Sequence, residues 1–291
     1  MPDNRREFVK IAIAGALSRA QLPAAGLAAA SSEGTGAKRS VTVALIQFDA
    51  VPEQTERNLA QMEDLARRAK DLGAYWVMFH EGTLCDYTPR LAAFAEPVPD
   101  GASTRRIAAL ASRLQCYISF GLSELDRGRF YMSQVFVGPR GFCYRYRKTW
   151  LWLDGTDAGY RNEWARYDPG TGPELFDLDG AKATCFICAD GEAPRCIDRA
   201  AQLRPDVVFY PNNRGQLPEH DVFAKRAKAI RAPMLVTNRV GLSWIYLAEG
   251  GCAVYSAGGE VLAAANRKGK EEILIHNLEL GLRQDEQGVG T

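Results

Sequence analysis

Apolar positions recur along this chain in two alternating rhythms. Val41-Thr-Val-Ala-Leu-Ile-Gln-Phe48 is a short, nearly continuous apolar run, the pattern of a buried strand. From Thr55 the period changes, because Leu59, Met62, Leu65, Ala66, Ala69 and Leu72 recur at helical spacing. Thr55 stands where a capping side chain is wanted, so the spacing predicts a helix from Thr55 to about Leu72, stopped by Gly73. Tyr75 to Phe79 reads as the next strand and delivers His80 and Glu81 at its C-terminal end. Thr104 to Gln115 predicts a second helix, followed by a strand from Tyr117 to Leu122.

Hairpin chemistry follows. Met132 to Val137 and Phe142 to Tyr146 flank Gly138-Pro-Arg-Gly141, with Lys148 just beyond. Leu175 to Leu178, Asp179-Gly180 and Ala183 to Cys188 repeat that logic and put Cys188 at the end of a strand. Pro194 to Arg204 and Asp221 to Arg231 predict helices that alternate with strands at Val207 to Tyr210 and Met234 to Asn238. Ala253 to Tyr255, Val261 to Ala265 and Ile273 to Asn277 finish the series as antiparallel strands. Strands alternating with helices, interspersed with hairpins and free of repeats, imply an α/β fold with a mixed sheet covered by helices in one domain.

The first thirty residues break this pattern. Asn4-Arg5-Arg6-Glu7-Phe8-Val9-Lys10 resembles a twin-arginine export signal, and it precedes the mildly apolar Ile11 to Leu17 and the small-residue run Ala28-Ala29-Ala30. That apolar run is too short to span a bilayer. The expected organisation is a signal at residues 1–30, a Ser-, Gly- and Ala-rich tether at 31–40 and a catalytic domain at 41–291. The expected destination is therefore periplasmic or secreted, reached through the twin-arginine translocase, with no membrane attachment after processing. A cytoplasmic location is the alternative if Arg5 and Arg6 belong only to an amphipathic helix.

Charge narrows the function. The full chain carries a net charge of +1, and without residues 1–30 the balance is 32 basic against 33 acidic side chains. Such a chain has no basic field for nucleic acid and no acidic tail. Seven cysteines, Cys85, Cys116, Cys143, Cys185, Cys188, Cys196 and Cys252, form no disulfide framework in a chain of 291 residues. Five have apolar or aromatic neighbours, as buried thiols do. Twin-arginine substrates generally fold before export, so buried thiols can stay reduced in an oxidising compartment.

Cys188 lies in Cys185-Phe-Ile-Cys188-Ala-Asp-Gly-Glu-Ala-Pro194, where a buried strand stops and a helix is about to start. A side chain there projects from a sharp turn, and the backbone N–H groups that follow can receive negative charge. Attack on an amide carbonyl needs such a sulfur, a group to take its proton, and donors for the developing oxyanion. Glu81 and Lys148, each at the end of its own strand, can supply the last two roles.

In this order the chain resembles the nitrilase (carbon-nitrogen hydrolase) superfamily from Val41 to about Leu282. The resemblance rests on Phe79-His80-Glu81, Tyr146-Arg147-Lys148, Glu163-Trp-Ala-Arg-Tyr-Asp-Pro-Gly170, Phe186-Ile-Cys188-Ala-Asp190, Thr237-Asn-Arg-Val-Gly241 and Gly258-Gly-Glu-Val-Leu262, in that sequence. It implies a four-layer α-β-β-α sandwich with mixed sheets, assembled as a homodimer or larger homo-oligomer. It also implies that Glu81 is the general base, Cys188 the nucleophile and Lys148 the oxyanion's ammonium, acting with the backbone N–H of Ala189. Glu163 would orient Lys148 and the substrate nitrogen. Asn212 and Asn213, after the strand Val207 to Tyr210, are candidates for the pocket wall, and Trp150, Trp152 and Tyr160 for its mouth.

The implied reaction is hydrolysis of a small linear amide through a cysteine thioester, with no metal or organic cofactor. The alternatives within that chemistry are an N-carbamoyl amine or amino-acid hydrolase and a nitrilase. Cys188-Ala-Asp-Gly191 is nearest to the aliphatic-amidase turn, whereas Glu163 to Gly170 is spaced as in N-carbamoyl amino-acid hydrolases. Those enzymes hold a substrate carboxylate with arginines just after the cysteine turn, where Gly191 and Glu192 stand here. His80 before the glutamate and Arg195 after Pro194 also depart from the family pattern, which leaves a non-catalytic binding protein on the same fold as the reading from another class. Cys185-x-x-Cys188 as a redox dithiol is a third reading, disfavoured because residues three apart on a strand face opposite sides; it expects loss of function in Cys185→Ser. His80, His220 and His276 have no catalytic context.

Overall fold

The computed structural model describes residues 38–153, 162–217, 219–244, 246–266 and 268–281. The expected signal, most of the tether and Tyr160 lie outside the described residues.

The first sheet has six strands: β1 (Lys38–Gln47), β2 (Trp76–Met78), β3 (Tyr117–Asp126), β4 (Arg129–Gly138), β5 (Gly141–Arg147) and β14 (Glu272–Gly281), in the order β14-β1-β2-β3-β4-β5. The second also has six: β6 (Phe176–Leu178), β7 (Ala181–Cys185), β8 (Val207–Pro211), β9 (Met234–Thr237), β12 (Ala253–Tyr255) and β13 (Val261–Ala264), in the order β13-β12-β9-β8-β7-β6. A separate hairpin, β10 (Val240–Leu242) with β11 (Leu247–Glu249), completes the strands. The helices are α1 (Thr55–Asp71), α2 (Leu91–Phe94), α3 (Ala102–Leu114), α4 (Pro194–Leu203) and α5 (His220–Ile230).

The apolar run of β1 shows why two sheets and two helical layers form. Alternate side chains of a strand face opposite ways. Val41, Val43 and Leu45 join Phe209, Leu235 and Val236 of the second sheet, while Ala44, Ile46 and Phe48 join Leu59, Met62 and Ile107 of α1 and α3. On the far side, Ala200, Phe223, Ala227 and Ile230 bring α4 and α5 onto the second sheet, giving four layers in the order α-β-β-α. Phe209 sits at the seam between the sheets, 5.7 Å from the Trp76 ring and 5.1 Å from that of Phe136. Each such buried aromatic contributes about 1.5–3 kcal/mol by leaving water.

Strand direction then decides where chemistry can collect. β1, β2 and β3 run parallel; β4 reverses the chain and β5 reverses it again, so β5 ends on the same edge as β2. β7, β8 and β9 are parallel too. The segments after β2, β5, β7 and β8 therefore gather at the C-terminal ends of their strands, where ligands of open α/β sheets are bound.

Three local expectations are corrected. Thr55 is the first residue of α1, not its cap; Gln54 occupies the cap position without a side-chain hydrogen bond. β7 ends at Cys185, three residues before Cys188, which opens a 3-10 turn over Cys188–Glu192 with a left-handed φ of 43°. Six of the seven cysteines are buried, and only Cys143, in β5, is exposed. The β10–β11 hairpin and the short α2 are additions, since neither has enough periodic residues to announce itself.

Candidate active site

Glu81, Lys148 and Glu163 come together in the interior. Glu81 follows β2 by three residues, its backbone N–H donating to the Asn212 carbonyl at 3.3 Å beyond β8. Lys148 follows β5 and is held from both sides, donating to the Met132 carbonyl and accepting from the Gly170 N–H at 2.8 Å each. Glu163 starts a 3-10 turn over Glu163–Ala165 capped by Asn162. The Lys148 Nζ lies 2.8 Å from Glu81 Oε1 and 2.8 Å from Glu163 Oε1, with all three side chains buried. Glu163 Oε2 accepts from the Trp152 N–H at 2.6 Å, so the second carboxylate is fixed at both oxygens. Glu81 Oε2 has no hydrogen-bond partner among the described residues.

Two glycines let the backbone close this tightly. A Cβ on Gly121 in β3 would lie 2.3 Å from the Gly82 nitrogen and 2.8 Å from the Glu81 Cα, displacing Glu81; one on Gly170 would lie 2.2 Å from the Arg147 carbonyl oxygen, beside Lys148. Neither contact can be relieved by a side chain, because the obstacles are backbone.

Cys188 is brought to the same place by a buried carboxylate. Asp190 accepts from the N–H groups of Ile187 (2.9 Å), Thr149 (3.0 Å) and Trp150 (2.5 Å) and from the Tyr146 hydroxyl (2.8 Å). One side chain thus ties the turn carrying the sulfur to the segment that follows Lys148. From the other side the Tyr210 hydroxyl donates to the Cys188 carbonyl at 2.7 Å, and Arg226 donates to that hydroxyl at 3.0 Å. The Asp190 N–H is engaged by the Ile187 carbonyl, leaving the Ala189 N–H as the turn's candidate oxyanion donor.

A cavity of about 650 Å³ opens on this cluster, lined by Cys188, Ala189, Glu163, Tyr87, Asn213 and Arg214 among others. Cys188 is 9% exposed and lines this cavity. Trp150 and Trp152 line the cavity as well, each 39% exposed. Asn213 is a wall residue, its Nδ2 donating to Asp86 at 2.8 Å and its Oδ1 accepting from Tyr246 at 2.5 Å. Asn212 is not on the wall: it is buried, its Nδ2 bonded to the Tyr210 carbonyl at 2.8 Å, and it bears on the site by its carbonyl's hold on Glu81.

Electrostatics follow from burial. Desolvation pushes the Glu81 carboxyl up to about 7, with Lys148 opposing the rise and Glu163 adding to it. Burial alone would discharge Lys148, but Glu163, Glu81 and Cys188 more than reverse that and hold the ammonium well above its ordinary range. The Cys188 thiol is pushed up to about 11 by burial and by Glu81, against the pull of Lys148, Arg214 and the Asn213 amide. At neutral pH the sulfur is therefore protonated and the Glu81 carboxyl is near its midpoint, the two groups being electrostatically coupled.

The remaining candidates resolve simply. Cys185 is fully buried between the sheets, where burial pushes its thiol far up, and it does not line the cavity. His80 packs its ring 5.4 Å from that of Phe48, and burial, reinforced by Arg239, depresses it to about 3, so it stays neutral. Tyr87 and Arg214 line the cavity without having been singled out in the sequence, and the buried Asp86–Arg239 pair at 2.8 Å lies behind Asn213; Asp190 and Arg239 stood within quoted motifs but were given no role of their own. Only Asp190 left a signal, as an Asp in a Gly-containing turn of the kind that bonds nearby backbone N–H groups.

A family model described as carbon-nitrogen hydrolase matches residues 42–285. Among individual proteins, the chain is 29% identical to a nitrilase of Pyrococcus abyssi over 83% of this chain and 91% of that one. It is also 29% identical to an N-carbamoylputrescine amidase of Solanum lycopersicum, over 83% and 87% of the two chains. Its fold matches the solved structure of a mutant amidase from Nesterenkonia sp. AN1 with a TM-score of 0.72 at 20% identity, covering 82% and 90% of the two chains. That structure carries the acetamide moiety of fluoroacetamide covalently on its active-site cysteine.

Proposed function

The chain belongs to the carbon-nitrogen hydrolase family and is a hydrolase of carbon-nitrogen bonds other than peptide bonds, and from that premise we propose that it cleaves a small linear amide by a Glu81-Lys148-Cys188 mechanism. The observation that carries the proposal is the Lys148 ammonium held 2.8 Å from each of two buried carboxylates behind a cavity that contains Cys188.

In the first half-reaction the Cys188 sulfur bonds to the amide carbon while its proton passes to Glu81 through the free Oε2. An ammonium has three N–H donors, and two are engaged by Glu81 and Glu163; the third, with the Ala189 N–H, holds the developing oxyanion. The tetrahedral species collapses with cleavage of the carbon-nitrogen bond, and Glu81 returns the proton to the departing amine or ammonia. In the second half, water adds to the thioester as Glu81 takes its proton; the acid leaves and the proton goes back to sulfur. Glu163, locked by Lys148 and by Trp152, keeps the ammonium from following Glu81 and positions the leaving nitrogen.

The pH dependence follows from the raised Glu81. Below about 7 the cluster holds the proton that Cys188 must lose, so kcat/KM is expected to rise with pH through about 7, and Glu81→Gln is expected to abolish both activity and that limb. Ammonia release from a panel of primary amides, N-carbamoyl amines and nitriles, read from acid to alkaline pH, tests this. A flat profile in that region, or full turnover by Glu81→Gln, would overturn the assignment of the base. The same panel separates amidase from carbamoylase and nitrilase specificity.

We also propose that residues 1–30 direct export through the twin-arginine translocase and that the mature chain works as a homo-oligomer. Cell fractionation should find the wild-type protein outside the cytoplasm and the Arg5→Lys, Arg6→Lys double variant inside it. Equal cytoplasmic retention of both would contradict the export signal.

A further inference from the structure

Beyond the reacting atoms, the cavity is lined by a partly buried positive charge with donors to spare. Arg214 lines it together with Cys188, and its side chain is 26% exposed. Its backbone is pinned to the Asn238 side chain at 2.9 Å, and its guanidinium lies over the Phe223 ring at 5.6 Å. One nitrogen, Nη2, donates to Glu192 at 2.5 Å; the buried Nε has no partner among the described residues. A second guanidinium, Arg226, with a side chain 12% exposed, approaches the same Glu192 at 3.9 Å.

Glu192 is the weaker side of this arrangement. Its side chain is 55% exposed, so one solvated carboxylate faces two largely buried cations. The other acids on the wall offer no remedy: Glu163 has both oxygens engaged, and Glu219 is exposed at the start of α5. A guanidinium has five donors in a fixed fork suited to a carboxylate, and its pairing strengthens as water is excluded. A cationic substrate would meet two like charges at this position. In the sequence, Glu192 argues against an acidic ligand at the cysteine turn; in the structure Arg214, from the segment after β8, and Arg226 together outweigh it.

We propose that the cavity selects amides whose far end carries a carboxylate, and that Arg214 is the residue that receives it. The proposal rests on the hydrolase reading for turnover but not for binding. Its experiment compares three amides of equal chain length: glutaric acid monoamide, pentanamide and the ω-amino derivative of pentanamide. Wild-type kcat/KM is expected to favour the acid over the neutral amide by about tenfold or more, with the amine last. Arg214→Gln is expected to bring the acid-to-neutral ratio near one, Arg214→Lys to keep part of it, and Glu192→Gln, which frees Arg214, to raise it. Calorimetric titration of the same three amides into Cys188→Ala protein reads the preference without turnover, and thermal unfolding checks that each variant is folded. Equal or better use and binding of the neutral or cationic amide, or a ratio that Arg214→Gln leaves unchanged, overturns the proposal even if hydrolysis stands. Charge-selective binding without hydrolysis of any amide would uphold it and sink the hydrolase reading instead.

Discussion

Cys188→Ala is expected to lower kcat/KM toward the protein's amide substrate by a factor on the order of 10⁴ or more while leaving the fold intact. The size of the effect follows from what remains. Without sulfur the base and the ammonium still stand in place, but there is no covalent route, and water would have to attack an unactivated amide directly. Among the described residues, Cys188 is the only one of the seven cysteines on the cavity wall, so no neighbouring thiol can substitute. The control is Cys185→Ser. Its side chain lies in the core between the sheets, where an extra hydroxyl costs about 1–3 kcal/mol of stability, yet turnover per folded molecule should persist. Steady-state ammonia release with both variants checks the pair, and a dithiol chemistry would reverse the second result.

Lys148→Met should be damaging in two ways at once. It removes the ammonium that faces the oxyanion, a loss of roughly 10²–10³ in kcat. It also strands Glu81 and Glu163 in the interior, and breaking a buried ion pair from one side costs about 3–5 kcal/mol. The stability loss has a definite pH dependence. With the cation gone, burial holds the folded-state affinity of the Glu81 carboxyl for its proton still further above that of the unfolded chain. The folded variant then binds more protons than the unfolded one, so its stability is present at low pH and is lost as pH rises through the raised value. Denaturant unfolding at mildly acid and mildly alkaline pH should show a larger wild-type-to-variant gap on the alkaline side. An equal gap at both would mean that the three groups are not electrostatically linked.

How much of this was legible depends on distance along the chain. Glu81 and Lys148 each follow a run that reads as a strand, where a charge alone is commonly a solvated strand end; they could be found because the ordered motifs of the family resemblance, with Cys188, single them out. Cys188 was legible as a turn residue, although the strand stops earlier, at Cys185, and the intervening Phe186-Ile187 is buried without being paired as strand. What could not be read is burial created by long-range pairing. Asp86 looks like an ordinary polar loop residue and Arg239 stood in a quoted motif without a role, yet both are fully buried because they pair with each other and with Asn213, Ser243 and the Ala50 carbonyl. Arg214 was invisible for the same reason, since its significance lies in Glu192, Arg226 and Cys188, which reach it only through the fold. Asn212 and Asn213 are chemically identical in sequence, and only the direction of the backbone after β8 separates a residue that braces Glu81 from one that faces the cavity.

The central claim is that a carbonyl carbon becomes bonded to the Cys188 sulfur. Rapid mixing with substrate, acid quenching and intact mass measurement followed by peptide mapping reads this directly. The account predicts an added mass equal to the substrate's acyl group, located on the peptide that contains Cys188, appearing within the first turnover and disappearing as the acid is released. Continued turnover with no adduct, or an adduct mapped to any other residue, would contradict it.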